Sequence, residues 1–318
     1  MLGIDVGGTT MKAAFWTVDA RPGSRPGPHR SLGQPEHTTR AATPPDASAA
    51  EALGAFAESL IAAHGPVDAV GLAIPGIVDD AAGVAEFSVA PTWSDLPLRE
   101  LMTARLGGVP VALGHDVRLG GLAEGRIGAA AGSRDFLFLA LGTGVGGMLC
   151  LDGRLRLGPH HRAGELGHVV VEPDGVLCGC GQRGCLETLA SATGIARLYR
   201  EAGGGEASAK QVAQLEAAGD ARAAAVWSRA VDALAAGIVC AVTVLDLELV
   251  VLGGGVAQAG ARLLDPLRER LAERLTYQHA PRIVAARLGD EAAVAGAALL
   301  AHDLLTPVPP PQSKDEDG

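Results

Sequence analysis

Aromatic residues are scarce in this sequence: Phe, Trp and Tyr together make up 3% of its 318 residues. Apolar residues nevertheless reach 48%, a share typical of globular proteins. A core with few aromatic rings has to be filled by Ala, Val and Leu, so we expect dense packing of small side chains. The length permits two lobes, because a single hydrophobic core rarely grows beyond about 250–300 residues.

Basic residues are also few relative to acidic ones: 26 Lys and Arg face 36 Asp and Glu, which gives a formal net charge of −10. A surface of that sign repels both nucleic acid and anionic membranes. We therefore expect a small-molecule partner, with no nucleic acid and no membrane. The sequence has no basic start followed by an apolar core, and no apolar run that approaches the ~18 residues of a membrane helix. These absences predict a soluble cytoplasmic protein.

Strands and helices alternate along the chain. Strands are predicted at 67–74, 109–113, 136–141 and 248–252, and helices at 47–63, 96–106, 116–126, 191–199 and 220–244. This order predicts an α/β protein. The N-terminus, a strand followed by a glycine turn and a second strand, has the same plan as residues 136–151, which suggests two similar halves. Residues 21–45 are predicted to be a long surface loop or irregular strand connection, and the tail from Thr306 to be disordered.

Glycine-rich turns follow three of the predicted strands, at 7–10, 142–147 and 253–255. The second turn formally matches the dinucleotide pattern G-x-G-x-x-G, but that pattern needs a helix directly after it, and here a strand is predicted. A P-loop is excluded because G-x-x-x-x-G-K-[S/T] does not occur. Glycine hairpins bind phosphate by another route, since their backbone N–H groups approach oxygens closely. One such turn is more often only a tight connection, whereas three at strand ends favour phosphate binding. Asp5, just before the first turn, is a candidate Mg²⁺ ligand.

Three of the five cysteines share one short stretch with a histidine just upstream: His168, Cys178, Cys180 and Cys185. Three thiolates and one imidazole are a complete ligand set for a tetrahedral structural zinc site. The alternative is separate reduced cysteines, but the glycines between them let the loop fold around an ion and favour the metal. Cys150 and Cys240 lie in apolar segments and are predicted to be small buried hydrophobes.

Four segments together resemble the ROK family of repressors, open reading frames and sugar kinases: Asp5-Val6-Gly7-Gly8-Thr9, Gly142-Thr143-Gly144-Val145-Gly146-Gly147, Ala163-Gly164-Glu165-Leu166-Gly167-His168 and Cys178-Gly179-Cys180-Gly181-Gln182-Arg183-Gly184-Cys185-Leu186-Glu187. The resemblance covers nearly the whole chain in the right order. Its glycine motifs are shared with the wider hexokinase, actin and Hsp70 superfamily, whereas the Glu-x-Gly-His and cysteine segments are specific to ROK proteins.

The resemblance implies the α/β, two-lobed, actin-like (ribonuclease H-like) ATPase fold with a cleft between the lobes. We expect a smaller lobe formed by 1–115 and 297–318, which includes a C-terminal helix and the tail, and a larger lobe formed by 116–296 with the zinc loop. The implied activity is that of an ATP-dependent hexose 6-kinase that uses Mg²⁺ and carries structural Zn²⁺. The implied assembly is a homodimer or homotetramer.

Site residues follow from the same resemblance. The nucleotide is expected at Asp5, Gly7, Gly8, Thr9, Thr10, Lys12, Gly142, Thr143, Gly144, Gly253, Gly254 and Gly255. The sugar is expected at Pro75, Gly76, His115, Asp116, Glu165, His168 and Glu187. The two glutamates would be solvated surface charges in most proteins, but the matching residues of ROK kinases bind sugar hydroxyls, to which a carboxylate makes strong hydrogen bonds.

Asp116 is the predicted catalytic base, because a carboxylate within hydrogen-bond reach can take the proton of a sugar hydroxyl during phosphoryl transfer. Its other interpretation is an N-terminal helix cap, since a helix follows it, and both can hold. Two positions depart from the family pattern: His115 replaces an Asn, and Pro91-Thr92-Trp93 lacks the usual Asn before Trp. The departures leave the choice between glucose, N-acetylglucosamine and another hexose open.

A transcriptional repressor and a sugar sensor are the alternatives to a kinase. ROK repressors share the fold but carry an N-terminal winged helix-turn-helix, for which this sequence leaves no room before its first strand, and its negative charge disfavours DNA. A sugar sensor that has lost catalysis is the second alternative, against which the presence of Asp116 argues.

Overall fold

The computed structural model describes residues 1–17 and 32–306. Its strands and helices in chain order are β1 (Leu2–Val6), β2 (Thr10–Phe15), β3 (Thr38–Ala42), α1 (Ala49–His64), β4 (Val70–Ile74), β5 (Ile77–Asp79), β6 (Val84–Val89), β7 (Thr92–Leu96), α2 (Leu98–Arg105), β8 (Val111–His115), α3 (Asp116–Ile127), β9 (Phe136–Leu141), β10 (Val145–Leu151), β11 (Arg154–Arg156), α4 (Glu187–Ala190), α5 (Ala192–Glu201), α6 (Ala209–Ala217), α7 (Ala221–Leu245), β12 (Leu249–Gly253), α8 (Gly254–Ala257), α9 (Ala261–Arg274), β13 (Arg282–Ala285) and α10 (Ala292–Leu305). Short 3₁₀ turns occur at Leu166–His168 and Gly289–Glu291.

The predicted loop at 21–45 is only partly a loop, because β3 lies within it and pairs with β2 at the edge of a sheet. Its alternating exposed and half-buried residues gave no apolar signal in the sequence. Residues 21–31 of that prediction lie outside the described residues, as does the predicted disordered tail after Thr306.

The elements form two compact units. The first contains Met1–Ile127 and the segment that begins at Glu291, and the second is Gly128–Asp290. Helix α3 belongs to the first unit because it packs on α10: a Cβ placed on Gly296 would lie 2.0 Å from the carbonyl oxygen of Leu119. The lobe boundaries predicted after residues 115 and 296 therefore differ from the observed division, which keeps α3 and the start of α10 in the first unit.

The first unit is built on a five-stranded sheet of order β3-β2-β1-β4-β8. Strands β1, β4 and β8 are parallel. Strand β2 is antiparallel to β1 and joined to it by the first glycine turn, and β3 pairs antiparallel with β2. A separate antiparallel sheet of β5, β6 and β7 belongs to the same unit. The sequence predicted the β1–turn–β2 unit but not this small sheet, whose short strands are partly polar.

The second unit repeats the plan of the first. Its sheet has the order β11-β10-β9-β12-β13, with β9, β12 and β13 parallel and β10 and β11 antiparallel. The glycine turn at 142–144 joins β9 to β10 just as the first turn joins β1 to β2. A strand follows this turn, as predicted, so the chance match to the dinucleotide pattern has no structural meaning.

Small residues make the core of the first unit dense, as the low aromatic content requires. Helix α10 lies directly on β1 and β4, and the contact depends on glycine: a Cβ on Gly71 would lie 1.8 Å from Ala297 O, and one on Gly3 would lie 2.5 Å from Val294 O. Any side chain at these two positions would push the helix off the sheet.

Helix α7 of the second unit has the length and hydropathy of a membrane span, contrary to the expectation that no segment would approach them. Twelve of its 25 residues are buried, including Trp227, Leu234 and Ile238, and they contribute to the core of the unit. A core helix meets the same criterion, so packing explains its apolar composition. Cys240 on this helix is exposed rather than buried, whereas Cys150 is buried as predicted.

Candidate active site

The parallel strands of the first sheet bring several predicted site residues to one edge. Strand β1 leads into the first glycine turn, β4 into Pro75 and Gly76, and β8 into Asp116. Because these strands are parallel and adjacent in the order β1-β4-β8, their carboxyl ends lie side by side, which is where open α/β sheets bind ligands.

Asp116 is the first residue of α3, and its two carboxylate oxygens have different surroundings. Oδ1 accepts a hydrogen bond from the N–H of Val117 at 2.6 Å and lies 3.2 Å from Nε2 of His115. Oδ2 has no hydrogen-bond partner among the described residues, and the side chain is 28% exposed. A regular N-cap accepts from a donor two or three residues on, so the predicted cap takes a different form. One oxygen is anchored, and the other remains an acceptor.

Two side chains at the positions that depart from the family pattern already have partners. The imidazole of His115 faces the Asp116 carboxylate rather than standing apart from it. The hydroxyl of Thr92 contacts the carbonyl oxygens of Val89 at 3.1 Å and Pro45 at 3.3 Å. As a donor to these carbonyls it holds the β6–β7 turn, and only its lone pairs remain to meet a ligand.

Asp5 lies at the end of β1 directly across from Lys12 on β2. Burial, and next the negative charge of Asp116, raise the pKa of the Asp5 carboxyl to about 7, while Lys12 opposes the shift and Glu291 adds to it. Lys12 Nζ also lies 3.2 Å from Glu291 Oε1. No sequence motif points to Glu291, which is 279 residues from Lys12 in the chain. The cluster has an excess of negative charge that a divalent cation would neutralise.

The first glycine turn presents backbone donors. The N–H of Gly7 bonds the carbonyl of Thr10 at 3.0 Å, and the carbonyl of Thr9 accepts from Thr43 N–H at 3.0 Å. Within the described part of the chain, the N–H groups of Gly8 and Thr9 have no partner, and both residues are exposed. Two adjacent N–H groups of this kind can bind a phosphate oxygen.

The second glycine turn has the same arrangement. Gly142 N–H bonds the carbonyl of Gly144 at 2.9 Å, and the N–H of Val145 donates to Glu187 Oε2 at 2.9 Å. The N–H groups of Thr143 and Gly144 between them have no partner within residues 1–17 and 32–306. This turn is a second candidate phosphate site.

The third glycine segment, 253–255, adjoins the second turn. Strands β9 and β12 are parallel neighbours, and Gly253 pairs with Ala140 just before the second turn. A Cβ on Gly254, whose φ is +82°, would lie 2.5 Å from the carbonyl oxygen of Leu141. Gly255 is exposed, and a Cβ there would have nothing within 4 Å. The two glycine segments thus form one edge of the second sheet.

Glu165 and His168 lie on a short segment that packs against β10. A Cβ on Gly167 would lie 2.1 Å from the carbonyl oxygen of Val145, so glycine is required for this approach. The N–H of His168 bonds the carbonyl of Glu165 at 3.0 Å, and the Glu165 side chain is exposed.

The predicted metal ligands converge. The ligand atoms of His168, Cys178, Cys180 and Cys185 all lie within 4.8 Å of one another. His168 Nδ1 is 3.7 Å from Cys178 Sγ, and the Sγ atoms of Cys180 and Cys185 are 3.6 Å apart. A tetrahedron of thiolates with Zn–S bonds of about 2.3 Å has edges of about 3.8 Å. The four residues therefore fit a closed zinc site in both chemistry and spacing.

The pKa values of the three thiols differ because their surroundings differ. Burial raises the pKa of the Cys185 thiol to about 12 and raises that of Cys178. A hydrogen bond from the Gln182 N–H lowers the pKa of the exposed Cys180. Binding of a metal would therefore displace protons from the buried pair, as coordination by thiolates requires.

Glu187 connects the candidate metal ligands to the second glycine turn. Its Oε2 accepts from Val145 N–H at 2.9 Å, and its Oε1 lies 3.8 Å from Cys178 Sγ. A Cβ on Gly144 would lie 2.4 Å from Oε2, so the glycine makes room for the carboxylate. Glu187 thus has a structural role at the turn beyond its predicted contact with sugar.

Sequence reasoning missed two groups that support these residues. Arg118, with 3% of its surface exposed, donates from Nη2 to the Val78 carbonyl and to Asp80 Oδ1, both at 3.0 Å. It ties α3, which begins with Asp116, to the strand after Pro75. The segment at 191–193 contacts the second glycine turn; its only sequence signal was the start of a predicted helix.

Comparison with known proteins gives a consistent result. The ROK family model matches residues 1–304. The chain is 33% identical to a glucokinase of Thermotoga maritima, over 94% of this chain and 96% of that protein. It is also 33% identical to an N-acetylmannosamine kinase of Citrobacter koseri, over 95% of this chain and 98% of that protein.

A solved structure supports the fold. The ROK glucokinase of Streptomyces griseus, determined in complex with glucose and AMPPNP, superposes with a TM-score of 0.78 at 29% identity, covering 95% of this chain and 99% of that one. The chain has the two-lobed actin-like ATPase fold of these kinases, and it belongs to the ROK family.

Proposed function

We propose that this chain transfers the γ-phosphoryl group of ATP to the 6-hydroxyl of a hexose, with Asp116 as the general base. It is an ATP-dependent sugar kinase. The observation that carries the proposal is the asymmetry of the Asp116 carboxylate: Oδ1 is held by Val117 N–H and His115, while Oδ2 has no partner in the described residues. A base needs one such acceptor within reach of the hydroxyl and a fixed orientation.

The reaction needs one proton acceptor and stabilisation of charge. As the sugar oxygen forms its bond to the γ-phosphorus, the bond from that phosphorus to the β,γ-bridging oxygen breaks and ADP leaves. The hydroxyl proton passes to Asp116 Oδ2. We propose that Pro75, Gly76 and His115 position this hydroxyl.

The nucleotide phosphates are assigned to the glycine turns. The N–H groups of Gly8, Thr9, Thr143 and Gly144 are the proposed donors, with the Thr10 hydroxyl and Lys12 beside the first turn and 253–255 at the adenosine. Asp5 would hold Mg²⁺, and this ion would neutralise phosphate charge when bound. The raised pKa of Asp5 supports this role, because such a carboxylate gains most from a nearby cation.

The zinc site is proposed to be structural. His168, Cys178, Cys180 and Cys185 would hold the ion, which supplies no open position for chemistry. Its effect is to fix the segment between Glu165 and Glu187, whose carboxylates, with the His168 ring, are the proposed partners of the sugar hydroxyls.

Overall sequence identity to known kinases does not indicate which sugar is the substrate. The glucokinase and the N-acetylmannosamine kinase are equally similar to this chain, at 33% identity each. We propose glucose or N-acetylglucosamine. The His115 imidazole, which faces Asp116 here, is the residue we expect to set the difference between this chain and kinases with Asn at that position.

The test is a coupled ADP-release assay with Mg-ATP and a panel of glucose, N-acetylglucosamine, N-acetylmannosamine, mannose and fructose, for wild type and Asp116→Ala. Turnover of one sugar that disappears in the variant supports the kinase and identifies the substrate. Binding of a sugar without turnover by wild type would instead support the second candidate, a catalytically inactive ROK sugar sensor.

We further propose that the enzyme is cytoplasmic and forms a homodimer or homotetramer, with no nucleic-acid or membrane partner. The family and the net charge of −10 support this. Light scattering coupled to size-exclusion chromatography measures the assembly directly.

A further inference from the structure

The first residues of helix α5 donate hydrogen bonds to the second glycine turn. The N–H of Ala192 donates to the Gly142 carbonyl at 2.8 Å, and the hydroxyl of Thr193 donates to the Thr143 carbonyl at 2.6 Å. Two successive carbonyl groups of the turn are therefore occupied by one short segment, which is separated from the cysteine loop by helix α4.

This arrangement determines where the turn's donors point. Across a trans peptide the carbonyl of one residue and the N–H of the next point in opposite directions, and the only cis bond in the described part of the chain is Ala90–Pro91. The Gly142 carbonyl shares its peptide with Thr143 N–H, and the Thr143 carbonyl shares its peptide with Gly144 N–H. Both N–H groups consequently point away from α5, and both lack a partner among the described residues.

A chain of hydroxyls fixes the Thr193 side chain. Ser191 Oγ lies 3.0 Å from Thr193 Oγ1 and accepts from Gly194 N–H at 3.0 Å. Because the Thr193 hydrogen is donated to the Thr143 carbonyl, Ser191 has to be the donor to Thr193. Successive hydrogen bonds of this kind strengthen one another, so the buried Ser191, which is 1% exposed, orients the hydroxyl of the exposed Thr193.

We propose that Thr193 is a positioning residue for the nucleotide: its hydroxyl orients the 143–144 peptide so that Gly144 N–H is directed at a phosphate of ATP. The inference rests on the proposed function, which assigns this turn to phosphate. It predicts that loss of the hydroxyl weakens nucleotide binding selectively, since the hydroxyl of Thr193 is hydrogen-bonded to Ser191 and Thr143 and, among the described residues, to no proposed sugar group or metal ligand.

The experiment compares Thr193→Val, which removes the hydroxyl and keeps the shape, with Thr193→Ser, which keeps the hydroxyl. Thr243→Val is the matched control, because Thr243 is an exposed threonine in the same unit whose hydroxyl is hydrogen-bonded to Gln278 at 2.8 Å. For each full-length protein, calorimetry measures the Kd of a non-hydrolysable ATP analogue with Mg²⁺, steady-state assays measure KM for ATP and for sugar, and elemental analysis measures zinc.

We expect Thr193→Val to raise the Kd of the analogue and the KM for ATP about fivefold to tenfold, the effect of one hydrogen bond. The KM for sugar and the zinc content should stay unchanged, Thr193→Ser should restore nucleotide binding, and Thr243→Val should match wild type. Thr193→Ala replaces the valine variant if valine prevents folding.

The inference is overturned if the valine variant binds the analogue as wild type does, or if it loses nucleotide, sugar and zinc binding together, which would indicate a role in stability alone. If wild type itself does not bind the analogue, the proposed function fails, and the inference with it.

Discussion

The carboxylate of Glu187 and the backbone N–H of Val145 form a hydrogen bond of 2.9 Å. They lie 42 residues apart in the chain, one directly after the cysteine loop and the other at the end of the second glycine turn. Since Glu187 Oε1 also lies 3.8 Å from Cys178 Sγ, one side chain contacts both the proposed metal site and the proposed phosphate site.

Gly144→Ala should disturb this contact. The new Cβ would lie 2.4 Å from Glu187 Oε2, so the carboxylate has to move and Val145 N–H loses its partner, at a cost of about 1–3 kcal/mol in the free energy of unfolding. Gly142→Ala is the control in the same turn, because its Cβ would meet nothing within 4 Å, and we expect a change within about 0.5 kcal/mol. Denaturant unfolding measures both. Equal losses in the two variants would contradict the argument.

Metal content can be tested independently of activity. We expect one zinc per chain by elemental analysis. Cys185→Ser should lose most of it and lower Tm, since a buried ligand is removed and structural zinc contributes directly to folding. The control is Cys240→Ser, whose exposed thiol lies outside the cluster. A Cys185→Ser protein that retained its metal would rule out the assigned ligand set.

Asp116→Asn preserves the shape of the side chain and removes its basicity. We expect kcat to fall about 10²–10⁴-fold, the usual contribution of general base catalysis, while the Kd for sugar and Tm change little. Stopped assays at saturating ATP and sugar, with calorimetric sugar binding, make the measurement. A near-normal kcat would show that another group acts as the general base.

Asp5→Asn should alter stability with pH. The folded-state pKa of about 7 lies above the ordinary value of 3.8, so the folded protein holds this proton more tightly than the unfolded chain does. The stabilisation of the folded state by this protonated carboxyl is fully present below about pH 4 and is lost as pH rises through about 7. At pH 8 the ionised carboxylate therefore destabilises wild type, and the variant should be more stable by about 2–4 kcal/mol.

The advantage of Asp5→Asn should shrink as pH falls towards 4, and activity should be lost through the change at the proposed Mg²⁺ ligand. Unfolding by denaturant at pH 5 and pH 8 measures the stability difference, with the exposed Asp174→Asn as a control that should show no such trend. A stability difference that is independent of pH would contradict the assignment.

Much of the fold follows from local patterns. The strand–glycine turn–strand units at β1–β2 and β9–β10 are predictable because apolar runs and glycines lie next to each other in the chain. The four candidate metal ligands are predictable because they lie within one short segment. These same segments carry the resemblance to the ROK family, which the match of the family model to residues 1–304 confirms.

The missed features depend on contacts between distant segments. Glu291 reaches Lys12 only because α10 returns to the first sheet, and Arg118 finds Val78 and Asp80 through packing that no periodicity reveals. Similarly, the sequence predicted a helix near Ser191 but not that its first residues would hold the glycine turn. The division between the units depends on the close approach of α3 and α10, which also leaves no local signal.

Helix α7 has a consequence for production of the protein in cells. Its 25 residues are apolar enough to resemble a membrane span, and packing within the second unit buries twelve of them. Any variant that delays the folding of that unit exposes this segment to other unfolded chains, where apolar surface promotes aggregation. Core substitutions near α7 will therefore be seen first as a loss of recoverable protein, before any kinetic constant is measured.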